Sequence, residues 1–468
     1  MRAPGAPALP GGISVRLGRH TRVIDDGAVL VGGSPIRIVA LTPRARSHLD
    51  GDLVTVTDAA SRALADHFLD AGIAEPVIES LPEVSTALAT VVVPVRDRAT
   101  QLARLLDSLG GLRVIVVDDA SVDPQPVASV AARHGAELVV LDENTGPAGA
   151  RNAGLARVTT PFVVFVDSDV VVEAGVVPLL LRHFADPRLA MVAPRVLGLD
   201  SPGANWITRY EEARSSLDVG HEAAIVRPRS RVTWLPAACL AARVEALGRG
   251  FDATMRVAED VDLVWRLVES RHRVRYAPEA VVRHDHRATL RAWLGRKLFY
   301  GTGAGLLAVR HPRNIAPAVL PPWAAGVLLA LMAQRRWSLP VAAGLLVVTA
   351  WRIGRRAPSV RHPHRLAARL TSYGFVNAIA QGFALLLRHW WPLTAIGCLV
   401  SRRVRRAAAV AVVADTTWEL MRTRPRLDPV RFALARRLDD AAYGAGVWAS
   451  AIRGRSLRTL LPDVRSRR

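Results

Sequence analysis

The sequence predicts an α/β protein built on a doubly wound parallel sheet, and three observations predict it. From residue 88 onward, short apolar runs alternate with amphipathic stretches. Three of those runs stop on charged residues: Leu88–Val95 on Arg96-Asp97, Val114–Val117 on Asp118-Asp119, and Phe162-Val-Val-Phe-Val on Asp167-Ser-Asp169. A strand covered on both faces reads as a continuous apolar run, and ligands of open α/β sheets bind beyond the carboxyl ends of the strands. The strand–helix spacing also implies right-handed crossovers.

Composition bounds the rest. At 468 residues with 50% hydrophobic content, the chain can bury two or three domains. Its net charge of +21 suits nucleic acid, membrane phosphates or an anionic substrate, so position must decide. The basic residues are almost all arginine, with Lys297 the lone lysine. Two cysteines, Cys239 and Cys398, cannot build a disulfide framework, which fits a reducing compartment. Residues 1–10 contain no apolar core of a signal peptide.

In chain order, residues 13–33 alternate apolar and polar around Asp25-Asp26-Gly27, a hairpin signal. Thr42-Pro43 starts a helix, with threonine as cap and proline in the first turn. Residues 58–72 read as an amphipathic helix through Ala63, Leu64, Phe68 and Leu69. This gives a small α+β domain over residues 1–82, linker included, with Pro76 to Pro82 as the linker. Beyond it lie a helix through Leu102, Leu105, Leu106 and Leu109, a strand at Leu138–Leu141, and Asn144-Thr-Gly-Pro-Ala-Gly-Ala-Arg151-Asn152. Small residues there let a helix start approach a ligand, and Arg151 can hold a diphosphate by paired hydrogen bonds.

An isolated Asp-x-Asp more often ends a strand or caps a helix than binds a metal. Four ordered motifs are another matter. Val-Pro94-Val-Arg96-Asp97, Asp118-Asp119-Ala-Ser121, Gly146-Pro-Ala-Gly-Ala-Arg151 and Val-Asp167-Ser168-Asp169 resemble the nucleotide-sugar domain of the GT-A, family 2 glycosyltransferases. The resemblance implies a GT-A fold over residues 85–312 and a donor site of Pro94, Arg96, Asp97, Asp119, Arg151, Asp167 and Ser168. It implies that Asp119 reads the base, that Asp167 meets the ribose, and that Asp169 binds Mg²⁺ or Mn²⁺.

An inverting transfer needs a base on the acceptor side. Ala258-Glu259-Asp260-Val-Asp262 opens a helix with the stripe Val261, Val264, Trp265 and Val268. Acids favour a first helical turn for dipole reasons alone. The stretch is also similar to the family's Glu-Asp motif, which implies Asp260 as general base, with Glu259 holding the acceptor or orienting the base. Asp262 reads as surface. Trp234-Leu-Pro-Ala237-Ala238-Cys239 stands where the family has its acceptor loop, with alanines in place of the usual glycines and Cys239 a small buried residue rather than a nucleophile. In Val281-Val-Arg-His284-Asp-His286, His284 and then His286 are candidates to complete a metal site, against an equal reading as surface histidines.

Residues 313–415 contain apolar stretches at 315–333, 339–350 and 374–400, the last interrupted by Arg388-His389. A bilayer core needs about 20 apolar residues per helix, so shallow hairpins compete with spans. Arginines at 352, 355, 356, 361, 365 and 369, then 402, 403, 405 and 406, suit the cytoplasmic face of a cell membrane. Gln334-Arg-Arg-Trp337 only superficially matches a polysaccharide-synthase motif. Residues 416–468 read as a basic helical tail.

The N-terminal pattern resembles PqqD-like, winged-helix-type domains. Taken with Pro-Ala-Ala-Cys-Leu, Ala-Glu-Asp-Val-Asp-Leu and the tail's Asp439-Asp440-Ala-Ala-Tyr443-Gly-Ala-Gly-Val-Trp448, the order resembles the mycofactocin-system glycosyltransferases. That resemblance implies transfer of a hexose, glucose from UDP-glucose, onto a peptide-derived acceptor as a β-linked oligoglucoside, and no nucleic-acid partner. A membrane polysaccharide or polyprenyl-phosphate transferase would leave residues 1–80 unexplained. A nucleic-acid-binding winged-helix protein would give the acid-tipped strands no role.

Overall fold

The computed structural model describes residues 8–199, 203–356 and 360–464. The N-terminal part consists of β1 (Ser14–Leu17), β2 (Arg22–Ile24), β3 (Val29–Gly32), β4 (Arg37–Ala40), α1 (Pro43–Arg46), β5 (Leu53–Thr55), α2 (Ala59–Ala71) and β6 (Ala74–Pro76). It holds two three-stranded sheets, β5-β1-β6 and β2-β3-β4. The expected hairpin joins β2 to β3, and Asp25, Asp26 and Gly27 all have positive φ there, which is why short polar residues and glycine occupy it. The Thr42 side chain accepts from the Ala45 amide at the start of α1, as predicted. Helix α2 starts at an Asp58–Ser61 capping box and ends at Gly72. Its inner face runs through Ser61, Ala65, Phe68 and Leu69, so Ala63, expected inside, lies outside. The stretch expected as a linker is packed: the Val77 amide donates to the Ser14 carbonyl and Leu81 is buried.

The main sheet follows. Its elements are β7 (Ala89–Val95), α3 (Ala99–Leu109), β8 (Arg113–Asp118), α4 (Gln125–Arg133), β9 (Glu137–Val140), α5 (Gly146–Leu155), β10 (Phe162–Val166), β11 (Val170–Val172), α6 (Val176–Arg182) and β12 (Leu189–Gly198). After α7 (Trp206–Arg214) come β13 (Ala224–Ile225), β14 (Cys239–Arg243), α8 (Val244–Leu247), α9 (Glu259–Glu269) and β15 (Arg273–His284). The strand order is β11-β15-β12-β14-β10-β7-β8-β9, with β13 on β15. Strands β10, β7, β8 and β9 are parallel, as the apolar runs and the buried leucines of α3 predict. The other half is not: β14 enters antiparallel to both β10 and β12, β12 and β15 are parallel, and β11 and β13 run antiparallel to β15. The sheet is therefore mixed.

Two compact units result, residues up to 199 with 215–286, and residues 203–214 with 287–464. Within the first, the N-terminal part is fastened to the sheet by buried charge. Arg273, at the start of β15, donates to Asp66 and Asp70 of α2 at 2.6 and 2.9 Å and to Asp186 at 2.8 Å. Arg188 reaches Asp70 at 2.8 Å, and Arg275 pairs with Glu75.

The second unit takes α7 and α10 (Leu290–Arg310), although α10 was expected to close the 85–312 domain. The reason is local: Trp293 and Lys297 of α10 both bind Glu211 of α7, at 2.9 and 2.8 Å, and Lys297 also meets Asp439 at 3.3 Å. The remaining helices are α11 (Pro322–Ala333), α12 (Ser338–Arg355), α13 (Pro363–Ala384) with a π-helical turn at Leu385–His389, α14 (Trp391–Val400), α15 (Arg402–Thr423) and α16 (Pro429–Arg453). Arg388, the charge that interrupted the third apolar stretch, pairs with Asp440 at 3.3 Å and lies 3.9 Å over the Tyr443 ring. The expected tail, residues 416–468, thus holds the end of α15 and all of α16, and α16 is packed. A Cβ on Gly301 would stand 2.1 Å from the Tyr443 carbonyl, so α10 and α16 cross backbone to backbone. Among the described residues, only Pro363–His389 is long and apolar enough to cross a bilayer.

Arg273→Ala would strand two buried acids, Asp66 and Asp186, without their main cation. We expect a loss of about 3–5 kcal/mol, read by chemical denaturation.

Candidate active site

The site is assembled from loops at the carboxyl ends of β7, β8 and β10. Asp97 has φ +56°, and its amide donates to Ser121 Oγ while its carboxylate accepts from the Val122 amide at 2.7 Å. Asp97 therefore stitches the loop after β7 to the loop after β8. Arg96 is exposed and donates to the Ala120 carbonyl at 3.2 Å, and Pro94 is half-buried in the last turns of β7. Asp119 is buried. Its two oxygens accept from the Thr145 and Gly146 amides at 2.7 and 2.9 Å, holding the start of α5.

Arg151 on α5 is the buried centre. It donates to Asp167 at 2.5 Å and to Glu259 at 3.0 Å, and lies 5.3 Å over the Phe251 ring. Helix α5 gets this deep because Gly154 carries no side chain: a Cβ would stand 2.4 Å from Val92 of β7. Asn152 clamps the opposite segment, donating to the Phe251 carbonyl at 2.7 Å and accepting from its amide at 2.9 Å. Asn152 and Phe251 are contributors the sequence reading did not single out.

The expected acceptor loop forms a turn at Ala237-Ala238. The Ala237 amide donates to Asp260 at 3.2 Å, and the Ala238 carbonyl accepts from the Asp167 amide at 3.0 Å. Trp234 is half-buried ahead of the turn. Cys239 is not loop: it sits in β14 opposite Val166, fully buried, with its thiol pushed up to about 12 by burial, which leaves no surface for an acceptor. Glu259 and Asp260 open α9 as predicted. Asp262, expected at the surface, is fully buried and salt-bridged to Arg266 at 2.8 Å, one helical turn on. Asp260 is pushed up to about 7 by burial and by the neighbouring Glu259 charge, against the opposing pull of the Val261 amide, Arg151 and the Ala237 amide.

Ser168 and Asp169 are buried in the turn between β10 and β11. His284 Nε2 lies 3.4 Å from Asp169 Oδ1, because β15 pairs antiparallel with β11 and sets His284 opposite Val170. Arg98, not foreseen from sequence, occupies the other Asp169 oxygen. His286 packs instead over Gly198, where a Cβ would stand 1.9 Å from Nε2. Among the described residues, no group of three or more metal-ligating side chains converges. One carboxylate and one imidazole still fit a hard cation that brings phosphate oxygens of its own.

A carboxylate harder to ionise folded than unfolded withdraws stability as pH rises from about 4, the unfolded value, toward 7. Asp260→Asn is expected to raise Tm at pH 8 and leave it nearly unchanged at pH 4, in thermal melts across pH.

Residues 90–248 match the family described as Glycosyl transferase family 2. The "Pre-mycofactocin glycosyltransferase" of Mycobacterium tuberculosis is 42% identical over 478 residues, covering 98% of this chain and 100% of that protein. The succinoglycan biosynthesis protein ExoO of Rhizobium meliloti is 30% identical over 144 residues, 30% of this chain and 40% of its own. A mannosyltransferase of Pyrobaculum calidifontis, solved with GDP-Man and Mn²⁺, aligns over 63% of this chain and 86% of its own at 22% identity and a TM-score of 0.37. The chain is a glycosyltransferase of family 2, and it belongs with the pre-mycofactocin glycosyltransferase that it matches over nearly its whole length.

Proposed function

We propose that the chain transfers glucose from UDP-glucose to a peptide-derived acceptor of the mycofactocin pathway, with inversion, and repeats the step to build a β-linked oligoglucoside. Support for the acceptor comes from the name of the relative, matched across the N-terminal and helical parts as well as the core. The observation that carries the mechanism is Arg151 holding Asp167 and Glu259 in one guanidinium, with Asp260 next in sequence to Glu259.

In this reading the sugar nucleotide lies over the ends of β7, β8 and β10, with the base near Asp119 and the ribose near Asp167. The acceptor enters over Ala237-Ala238. Its hydroxyl gives its proton to the Asp260 carboxylate while its oxygen bonds to the anomeric carbon. The bond from that carbon to the diphosphate breaks, and the nucleoside diphosphate leaves from the opposite face. A base with a pKa near 7 is matched to such work, since it is ionised at neutral pH yet still accepts a proton. Asp169 and His284 would hold Mg²⁺ or Mn²⁺, which neutralises charge on the departing diphosphate. The N-terminal domain, in the PqqD-like reading, grips the peptide, and the Arg273 cluster keeps that grip in one position relative to the sheet.

Asp260→Asn is expected to lower turnover by about 10²–10⁴-fold with donor affinity nearly unchanged, whereas Asp169→Asn weakens metal-dependent donor binding. Mass spectrometry of the acceptor with a panel of nucleotide sugars, beside donor titration, reads both. Equal loss of donor binding in the two variants would refute the assignment, and addition of no hexose from any donor in the panel would refute the function.

A further inference from the structure

We infer that the second unit lies on an anionic lipid surface through the outward faces of α12, α14 and α15. This stands apart from the transfer chemistry, since it uses no residue of the candidate active site. In a soluble helix the buried face is the apolar one and the outward face is polar. In these helices that order is reversed. The buried residues of α12 are Ser338, Ala342, Thr349 and Gly354, and those of α15 are Ala411, Thr416 and Glu419. Their exposed positions include Leu339, Val347 and Trp351 on α12, and Val410, Val413 and Trp418 on α15. Helix α14 has no buried residue, and its Leu399 and Val400 are each 82% exposed.

Each of these faces runs into arginine. Helix α12 ends on Arg352, Arg355 and Arg356, with the Arg355 guanidinium 4.9 Å over the Trp351 ring. The end of α14 meets Arg402, Arg403, Arg405 and Arg406, which open α15 and are all exposed. A tryptophan-and-arginine border around apolar side chains is the chemistry of a bilayer's headgroup layer. A neutral protein partner gives the arginines nothing to pair with; anionic phosphates do. None of the three offers the roughly 20 apolar residues of a span: α12 has 18 residues with arginine in its last turn, α14 has 10, and the 22 of α15 include Arg402, Arg403, Arg405, Arg406, Asp415, Glu419 and Arg422. They suit burial in the plane of the interface.

Flotation of the full chain, diluted from detergent onto vesicles, tests this. Phosphatidylcholine vesicles containing phosphatidylglycerol should carry the protein up the gradient, and phosphatidylcholine alone should carry much less. Replacing Arg402, Arg403, Arg405 and Arg406 by glutamine should weaken binding to the anionic vesicles by roughly 100- to 1000-fold, since each charge near such a surface is worth about a factor of five. A Val347→Ser, Trp351→Ser variant, changed only at exposed positions, should lose binding to both compositions with its circular dichroism unchanged. Equal flotation with both lipids would overturn the inference, as would unbound protein that forms a concentration-dependent dimer.

Discussion

The candidate site depends on one buried guanidinium. Arg151 is almost without solvent, and a charge in that position is tolerated only with full pairing. Its partners come from two places far apart in sequence: Asp167 at the tip of β10, and Glu259 at the start of α9. Once the pairing forms, the strand end and the helix start cannot move independently. Asp167, Glu259 and the adjoining Asp260 are therefore set in one frame before any ligand arrives, which is the preorganisation that the proposed transfer would reward.

The mixed character of the sheet serves the same end. An antiparallel β14 beside β10 puts the Ala237-Ala238 turn at the tip of the strand that ends on Asp167. The Ala238 carbonyl then accepts from the Asp167 amide and the Ala237 amide donates to Asp260, so the same turn touches both acids. On the far side, β15 returns antiparallel to β11 and lays His284 beside Asp169. The two acids of Asp-x-Asp consequently face different neighbours: Asp167 looks to Arg151, Asp169 to His284 and Arg98. Family membership carries the GT-A-like fold with it, here as a mixed rather than a parallel sheet.

The parallel half of this sheet was legible in the sequence because its strands are valine-rich and end on acids, and because α3 repeats leucine at helical spacing. The antiparallel half was not. Cys239-Leu-Ala-Ala-Arg243 lacks β-branched residues and reads as loop, yet it is a strand between two others. Asp262 looked like surface because a lone acid on a helix usually is; its burial follows from Arg266 one turn later, a pairing whose depth only the fold sets. Arg98 and Phe251 carried no local signal, since each acts across the fold on a residue about 70 or 100 positions away. Arg388 seemed to break an apolar helix, and its partner Asp440 lay in a tail motif with no evident role. Where periodicity or a strand-end motif fixed the chemistry, sequence sufficed. Where two distant charges had to find each other, it did not.

The most direct test of this account is the pH dependence of transfer by Arg151→Gln. Burial and the Glu259 charge raise Asp260, and Arg151 opposes them. Removing that positive charge should move the acidic limb of the kcat/KM profile to higher pH, while raising the KM for the donor through Asp167. An acidic limb that stays where the unmodified enzyme has it, with only donor binding altered, would contradict the claim that Arg151 joins the two sides of the site.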